Sequence, residues 1–466
     1  MKINVFQLGI ATLCLTLTAC VPVPKKWECP SLQTNNHPVE KQSDFITYII
    51  QIDGTPSMQG YVNIRNSSYI RTLNLIDAAT VTTFSESRVK YYRFGLGRQL
   101  LKDQDSSLLA QSPQFYPRSY DNPSPGIPHF KESKIDKAIE PMDSTIENDL
   151  YIIVTDLYQN LGQQDAENNR GLKTIKERYL LQGYSVGILG VKSEFDGKIY
   201  DIGYKGESRD YTTDSSNYET FHPFYIIVLG KYENIVSFFN QMKKGSKSIG
   251  LNFPDDQYVI FYPHLVEKAS FLNINSNNQQ LISGIERQGP PVINDQKVML
   301  RITNPQTTER LKIDDSFDNS EPIKYEVPYS RLPYTLPLKL PPNLDIKGSK
   351  FDRQRKTFVN SPTLEDIIQF PNWQIQGNKI SFNTVFKSKE MSKGVYQFQV
   401  DALPSEFEQQ EWWTKWNFSE NNFDGAKTYN LLPFLQNLSD TTLNIVKSQK
   451  NTIGRFCYVV HKNSDK

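Results

Sequence analysis

The side chains best suited to chemistry follow an apolar segment near the start of the chain. Asp53, Thr55 and Ser57 stand at alternating positions, directly after the apolar run 46–52. One carboxylate and two hydroxyls offer only oxygen atoms, which are the ligands that a small hard cation such as Mg²⁺ prefers. The spacing therefore indicates a divalent cation site, and it indicates binding more clearly than a reaction.

A second carboxylate, Asp156, follows another apolar run at 150–154. The alternative is that Asp53 and Ser57 only cap the segment after them and that Asp156 only ends a strand. Asp, Ser and Thr favour helix starts and turns whether or not a metal is present. Both interpretations remain open at this stage.

The elements that must position these residues alternate between apolar strands and amphipathic helices. The pattern predicts strands at 45–52, 89–96, 150–154, 184–191 and 224–230, and helices at about 67–80, 135–142, 163–181 and 232–243. This alternation is typical of an α/β fold with a doubly wound, mainly parallel sheet that helices cover on both faces. Ligands in such sheets bind beyond the carboxyl ends of the strands, where Asp53 and Asp156 are expected to lie.

The turn that begins at Asp53, the strand before it and the later Thr155-Asp156 together resemble the von Willebrand factor A (vWA) domain. The resemblance implies that Asp53, Thr55, Ser57 and Asp156 belong to a metal-ion-dependent adhesion site (MIDAS). Thr55 stands where the family usually has Ser, and this substitution keeps the hydroxyl. Leu157 stands after Asp156 where the family commonly has Gly, which predicts a differently shaped third loop.

The family also takes a hydroxyl from a second loop, just before a helix. Ser133 precedes a segment, 135–139, that fits this register, so the resemblance implies Ser133 as the ligand and Thr145 as the alternative. It further implies bound Mg²⁺ (or Mn²⁺), with one coordination position filled by the carboxylate of a protein partner.

The residue pattern at the N-terminus predicts that the protein is exported from the cytoplasm. A basic start and an uncharged apolar stretch at 5–17 lead to Leu17-Thr18-Ala19-Cys20, as in a secretory signal peptide. The last four residues resemble the lipobox of bacterial lipoproteins. This implies that residues 1–19 are removed and that acyl chains such as palmitate on Cys20 anchor the protein to a membrane. An ordinary signal peptide with an incidental Cys20 is the alternative.

This resemblance also implies a location. Val21, rather than Asp, follows the cysteine, which favours the outer membrane of the bacterial envelope over the inner membrane. Residues 20–42 are polar and contain prolines, and we interpret them as a tether.

Two cysteines remain once Cys14 is removed with the signal and Cys20 carries lipid. In an oxidising compartment, Cys29 and Cys457 are expected to form a disulfide between the two ends of the mature chain. Two unpaired buried thiols are the alternative.

Composition excludes one class of partner. Lys and Arg number 52 against 51 Asp and Glu, so the chain is nearly neutral and lacks the basic excess of a nucleic-acid-binding protein. The length of 466 residues predicts two domains, at 43–265 and 266–466. The predicted partner of the first domain is a protein rather than nucleic acid, and the second domain is expected to be a spacer or a second interface.

A Pro-rich insertion at 102–130 interrupts the first domain. Its aromatic residues could hold a partner peptide or could belong to a surface insertion. The segment 266–466 shows short alternating strands and Pro-rich turns, which predict a β-rich domain with an immunoglobulin-like sandwich as its candidate fold. The cluster Trp412, Trp413 and Trp416 could form a carbohydrate or lipid platform, but core packing is the favoured interpretation.

Catalytic motifs are missing from the sequence. The five histidines fall outside HExxH, and no CxxC or GxSxG is present. A phosphatase-like role for Asp53 lacks a second Asp two residues on and a phosphate-holding Lys motif. We therefore expect no enzyme activity, with a metal-assisted phosphoester hydrolase as the weakest alternative.

The functional prediction is a membrane-anchored lipoprotein that binds a protein partner through the metal site, in envelope assembly, adhesion or surveillance. Asp53→Ala is expected to weaken partner capture and leave the fold intact. A structural scaffold with a vestigial metal site is the main alternative.

Overall fold

The protein is a mixed α/β structure with more sheet than helix. The computed structural model describes residues 25–30, 45–83, 86–101, 106–116, 133–142, 148–158, 170–202, 207–272, 285–287, 292–295, 298–302, 304, 306–314, 322–419 and 422–463. The predicted signal peptide, the lipidation site Cys20 and the alternative ligand Thr145 lie outside these residues, as do most of the tether and most of the insertion.

The first half of the chain contains eleven described strands, and seven of them form a central sheet with helices around it. Its strands are β1 (Lys25–Trp27), β2 (Phe45–Asp53), β3 (Glu86–Phe94), β4 (Arg98–Leu101), β5 (Asp149–Thr155), β6 (Ser185–Ser193), β7 (Asp196–Ile202), β8 (Glu207–Thr212), β9 (His222–Gly230), β10 (Tyr258–Phe261) and β11 (Ser270–Phe271). The described α-helices of the whole chain are α1 (Gln59–Val62), α2 (Ser68–Thr82), α3 (Ser106–Leu109), α4 (Ile135–Ile139), α5 (Arg170–Thr174), α6 (Tyr232–Ser248), α7 (Glu411–Lys415) and α8 (Leu431–Ser448).

The central sheet has seven strands in the order β10-β6-β9-β5-β2-β3-β4. β2 lies between β3 and β5 and is parallel to both. Because β5 and β6 are both antiparallel to β9, they run in the same direction as each other. The carboxyl ends of β2, β3, β5 and β6 therefore meet at one edge, where β9 begins.

The sheet is mixed, so the prediction of a mainly parallel sheet is wrong. Four neighbouring pairs are antiparallel: β3–β4, β5–β9, β9–β6 and β6–β10. The apolar strand β9 is inserted between β5 and β6 and runs against both. A strand buried on both faces has a continuous apolar sequence in either direction, so composition alone does not give its orientation.

Helices cover both faces of this sheet. Along β2, Tyr48 and Ile50 belong to a core shared with α2 and α6, whereas Ile49 belongs to a core shared with α4. The helix α2 begins where the sequence places it, because the Ser67 hydroxyl accepts a hydrogen bond from the Ile70 N–H. This two-sided burial explains why β2 is mostly apolar.

The second half is β-rich, as predicted. Its strands are β12 (Ile285–Arg287), β13 (Val292–Asp295), β14 (Val298–Ile302), β15 (Thr308–Ile313), β16 (Ile323–Pro328), β17 (Leu338–Lys339), β18 (Asn343–Asp352), β19 (Thr357–Asn360), β20 (Ile368–Gln369), β21 (Gln374–Gln376), β22 (Lys379–Phe386), β23 (Gly394–Leu403), β24 (Glu406–Phe407), β25 (Asn417–Phe418), β26 (Thr428–Tyr429) and β27 (Gly454–Lys462).

Two sheets of this half pack face to face. One has the order β12-β15-β27-β23-β18-β19 with β11 on β27, and the other has the order β16-β22-β20 with β21 on β22. The rings of Phe382 and Phe456 join them, with centroids 4.6 Å apart. β15 and β27 are parallel, which departs from the wholly antiparallel sheets of an immunoglobulin-like sandwich.

The two halves share packing. One hydrophobic cluster contains Val186 of the central sheet and Tyr458 of the second half. Trp412, Trp413 and Trp416 are buried, and the Trp412 ring stacks near Tyr225 of β9 at 6.3 Å. The core interpretation of the tryptophans is confirmed.

A disulfide joins Cys29 to Cys457, the pairing that the sequence predicts. Both residues are buried. The bond fastens the segment after β1 to β27, so it links two points 428 positions apart.

Candidate metal site

Three loops bring polar side chains together at the carboxyl ends of β2 and β5. Asp53 ends β2, Thr155 ends β5, and Ser133 lies just before α4. All three side chains are buried, and Asp53 is 0% exposed. A carboxylate in this position needs hydrogen bonds or a cation to offset the loss of water.

Asp53 accepts four hydrogen bonds from the protein. Its Oδ1 accepts from the Thr55 N–H (3.1 Å) and the Thr55 hydroxyl (2.7 Å). Its Oδ2 accepts from the Ser133 hydroxyl (2.7 Å) and the Thr155 hydroxyl (2.8 Å). Asp53 is therefore the centre of the cluster.

The direction of these bonds determines which electron pairs remain for a cation. A hydroxyl has one proton and two lone pairs. Thr55 and Ser133 donate their protons to Asp53, so their lone pairs are directed elsewhere. The oxygens of Thr55 and Ser57 lie 3.1 Å apart, and Ser57 is the donor because the Thr55 proton is already used. The atoms available as metal ligands are thus all hard oxygens, which fit Mg²⁺ or Mn²⁺.

The third loop contains Asp156, which is also fully buried. Its Oδ1 accepts from the Tyr158 N–H at 3.0 Å, and the Leu157 N–H donates to the Thr155 hydroxyl at 3.1 Å. Leu157 has φ of 61°, a left-handed conformation that costs a non-glycine residue about 1 kcal/mol. The backbone here thus adopts the conformation that glycine favours, although the residue is leucine.

Burial raises the pKa of Asp53 above its ordinary value. Hydrogen bonds from Ser133, Thr55 and Thr155 oppose this shift without cancelling it. Burial thus disfavours the bare carboxylate, and a bound cation would offset that cost.

A cationic side chain that the sequence did not reveal, Arg93, lies beside this cluster. It belongs to β3, and its Nη2 donates to the Gly54 carbonyl at 3.1 Å. A Cβ at position 54 would lie 2.4 Å from Arg93 Cγ, so glycine is needed for this close approach. Burial lowers the pKa of Arg93 to about 10, although Tyr116 and Asp53 act to raise it. The side chain therefore stays charged at neutral pH.

Part of the Pro-rich insertion reaches the same place. The Phe115 ring lies 5.0 Å from the Arg93 guanidinium, and the Tyr116 and Tyr69 hydroxyls lie 3.0 Å apart. Phe115 and Tyr116 are buried, so these two aromatics support the site and do not offer a surface to a peptide. Tyr120 and Phe130 of the insertion lie outside the described residues.

An aromatic cluster lies next to these loops. The Tyr61 ring stacks on Tyr69 (5.1 Å) and on His222 (5.4 Å). His222 donates from Nδ1 to the Gly425 carbonyl at 2.5 Å, and burial lowers its pKa to about 4. His222 is therefore neutral at physiological pH.

The second half of the chain contacts both the third loop, at Tyr158, and β9, at Tyr225. The Tyr158 hydroxyl donates to the Lys427 carbonyl at 2.9 Å, and the Tyr225 hydroxyl donates to the Thr428 hydroxyl at 2.9 Å. No local sequence signal indicates these contacts, because they join residues about two hundred or more positions apart.

Four of the sequence-predicted ligands are joined by direct hydrogen bonds: Asp53, Thr55, Ser57 and Ser133. Asp156 lies next to this group through Thr155. Thr155 is the member that the sequence interpretation missed, although it immediately precedes Asp156. Within the described parts of the chain, no three His, Cys, Asp or Glu residues form a metal cluster, so a cation here depends on hydroxyl ligands.

No family model, curated protein or solved structure matches this chain. Among the helices that the structure describes, none is both long and apolar enough to cross a membrane.

Proposed function

We propose that this protein is a lipid-anchored envelope protein whose central sheet is a variant of the vWA fold and binds a protein partner through a divalent cation. The observation that carries the proposal is the convergence of Thr55, Ser133 and Thr155 on the carboxylate of Asp53. A hydroxyl that donates to a carboxylate still has two lone pairs, and because Thr55 and Thr155 each accept one hydrogen bond, each keeps one lone pair for a cation.

The strand arrangement supports the vWA-like interpretation in part. β2 lies inside the sheet between parallel neighbours β3 and β5, and β4 is antiparallel at the edge. The proposed fold is a variant of the vWA fold because the antiparallel strand β9 is inserted between β5 and β6.

A cation at this site would give a partner carboxylate a place to bind. Mg²⁺ and Mn²⁺ accept oxygen ligands from more than one molecule. The buried Arg93 adds a second positive charge beside Asp53, which also favours an anionic group at this edge of the sheet. The proposed partner therefore presents an acidic side chain.

The proposed location rests on the sequence around Cys20. Acyl chains on this residue would hold the protein at a bacterial membrane, with the outer membrane favoured by Val21. The disulfide between Cys29 and Cys457 is consistent with an oxidising compartment.

The test uses Ser57→Ala in the chain without residues 1–20. Ser57 contacts Thr55 through a single hydroxyl pair, so its loss should change the fold little. We expect Mg²⁺ or Mn²⁺ to raise the melting temperature of the wild type and to promote capture of an envelope protein that EDTA releases. Both effects should disappear in Ser57→Ala.

Ser361→Ala is the matched control, because the Ser361 hydroxyl also pairs with a hydroxyl two residues on, Thr363, at 2.8 Å. It should behave as the wild type. Equal capture by wild type and Ser57→Ala, in Mg²⁺ and in EDTA, would refute the metal-dependent function.

The second candidate is a scaffold with a vestigial site. The observation in its favour is that protein donors already provide four hydrogen bonds to Asp53. This function predicts no change in melting temperature with millimolar Mg²⁺, Mn²⁺ or Ca²⁺.

A further inference from the structure

A cavity of about 500 Å³ lies at the end of β6, and none of the candidate metal ligands lines it. Its walls come from the start of α2, the end of β6 and the segments 215–221 and 250–257. Ligand-binding cavities have volumes of roughly 300–1,000 Å³, so this one has room for a small molecule.

The cavity lies where the edge of β6 loses its neighbour. β10 pairs with β6 only as far as Leu189, and no described strand continues the pairing on that side. Val191 and Lys192 of β6 line the cavity instead. Residues at the end of a strand are therefore part of its wall.

Lys192 is the unusual residue of this wall. Its exposed fraction is 6%, and its Nζ donates to the Glu219 carbonyl at 3.1 Å. The Nζ also lies 5.8 Å from the centre of the Tyr218 ring and 5.7 Å from that of Trp416. Burial lowers the pKa of Lys192, and the Glu219 and Asp424 carboxylates oppose this shift.

Within the described residues, no carboxylate oxygen lies within 4 Å of this ammonium group. The nearby Asp424 pairs instead with Lys427 at 3.0 Å. An ammonium group has three protons, and a carbonyl and two rings do not replace the anion that a buried cation usually has. A ligand with a negative charge would supply it.

Arg71 is the second cation of the wall, and it is already engaged. Its Nη2 lies 2.9 Å from the Ser68 hydroxyl and 3.8 Å from Glu194. Glu194 also accepts from the Ser68 N–H at the start of α2, at 2.7 Å. A carboxylate of the protein thus occupies the helix terminus, and Lys192 is the cation left for a ligand.

The rest of the wall is suited to an apolar group. Tyr218, Phe221, Leu251, Phe253 and Pro254 line the cavity. We propose that the cavity binds a small organic anion, a carboxylate or a phosphate ester. Lys192 meets its charge, and Tyr218 and Phe253 contact its apolar part. This site is independent of the proposed cation site.

The test is calorimetric titration of the wild type with N-acetyl-L-phenylalanine, phenyl phosphate and the neutral N-acetyl-L-phenylalaninamide. We expect at least one anion to bind tenfold or more tightly than the amide, and the tighter of the two identifies the anionic group. Failure of both anions to bind, or equal binding of acid and amide, would overturn the proposal.

Two variants and one control locate the site. Lys192→Met keeps the length of the side chain and should weaken anion binding at least tenfold. Asn252→Trp places a large ring at an exposed cavity residue and should abolish binding. Lys198→Met removes an exposed lysine that pairs with Asp210 and is not part of the wall, so it should bind as the wild type.

Each variant has an outcome against the proposal. Wild-type affinity in Lys192→Met would show that its charge is not used. If that variant does not fold, wild-type affinity in Asn252→Trp would exclude the cavity by itself.

Discussion

The hydroxyl of Thr155 donates a 2.8 Å hydrogen bond to Oδ2 of Asp53, across 102 positions of the chain. This contact ties the ends of β2 and β5 at the edge where they lie side by side. Ser133 donates to the same oxygen from a third loop. One buried carboxylate therefore links three loops.

Asp53→Ala should destabilise the metal-free protein by about 2–4 kcal/mol. The substitution leaves three hydroxyls and one N–H without their acceptor in a buried place, and each such loss costs about 1–3 kcal/mol before relaxation. Urea unfolding in EDTA measures the change.

Asp210→Ala is the control, because Asp210 is an exposed carboxylate with one 3.7 Å ion pair to Lys198. Its effect should stay below about 0.5 kcal/mol. Equal stabilities of the Asp53 and Asp210 variants would mean that Asp53 does not organise the loops. The stability cost also makes Ser57→Ala a better test of binding than Asp53→Ala.

The stabilisation by Mg²⁺ should grow with pH. Since burial raises the pKa of Asp53, the folded metal-free protein keeps a proton that the unfolded chain has lost. The stability that this proton contributes is complete at pH values below the pKa of Asp53 in the unfolded chain. It is lost as the pH rises through the pKa of Asp53 in the folded protein. A cation must displace the same proton, so its advantage increases over that window.

Urea midpoints between pH 4 and 8, with Mg²⁺ and with EDTA, test this prediction. The difference between the two curves should widen with pH in the wild type and stay near zero in Ser57→Ala. A Mg²⁺ effect that is the same at every pH would contradict the proton–cation exchange.

The polar cluster could be predicted from the sequence where its members directly follow a strand, whereas cation binding there stays a prediction. Asp53, Thr55 and Ser57 lie within five positions, and the resemblance to the vWA family implied Ser133, whose hydroxyl lies 2.7 Å from Asp53. Arg93 was missed because its place depends on the register of β2 with β3, which pairs Asp53 with Phe94. Side-chain type and spacing do not determine that register.

The same limit applies to the sheet. The sequence predicts the strand at 224–230 within two residues of its observed start. It does not predict the direction of this strand or which strands lie beside it. Its residues are buried on both faces, so the sequence shows no alternation that could distinguish an inserted antiparallel strand from a parallel one.

Acid should destabilise the protein through His222. Burial lowers the pKa of this side chain to about 4. The stability that the neutral ring contributes is therefore complete at pH values above the pKa of His222 in the unfolded chain, near 6.5. It is lost as the pH falls through the pKa of His222 in the folded protein, about 4. The loss amounts to about 3 kcal/mol, from about 1.4 kcal/mol per pKa unit.

The comparison of His222→Phe with the wild type isolates this effect from that of Asp53. The Phe variant keeps an aromatic ring but does not titrate, so its stability should fall less between pH 6.5 and 4. Identical slopes in the two proteins would exclude His222 as the acid-sensitive group.

Removing the disulfide should lower the free energy of unfolding by about 2–5 kcal/mol, because the bond closes a loop of more than four hundred residues in the unfolded chain. The double variant Cys29→Ala and Cys457→Ala avoids a buried hydroxyl at either position, since both side chains lie in the core. Its urea midpoint should match that of the reduced wild type, and dithiothreitol should not lower it further. A wild-type midpoint that stays unchanged after complete reduction would mean that packing of β1 and β27 holds the chain ends without the bond.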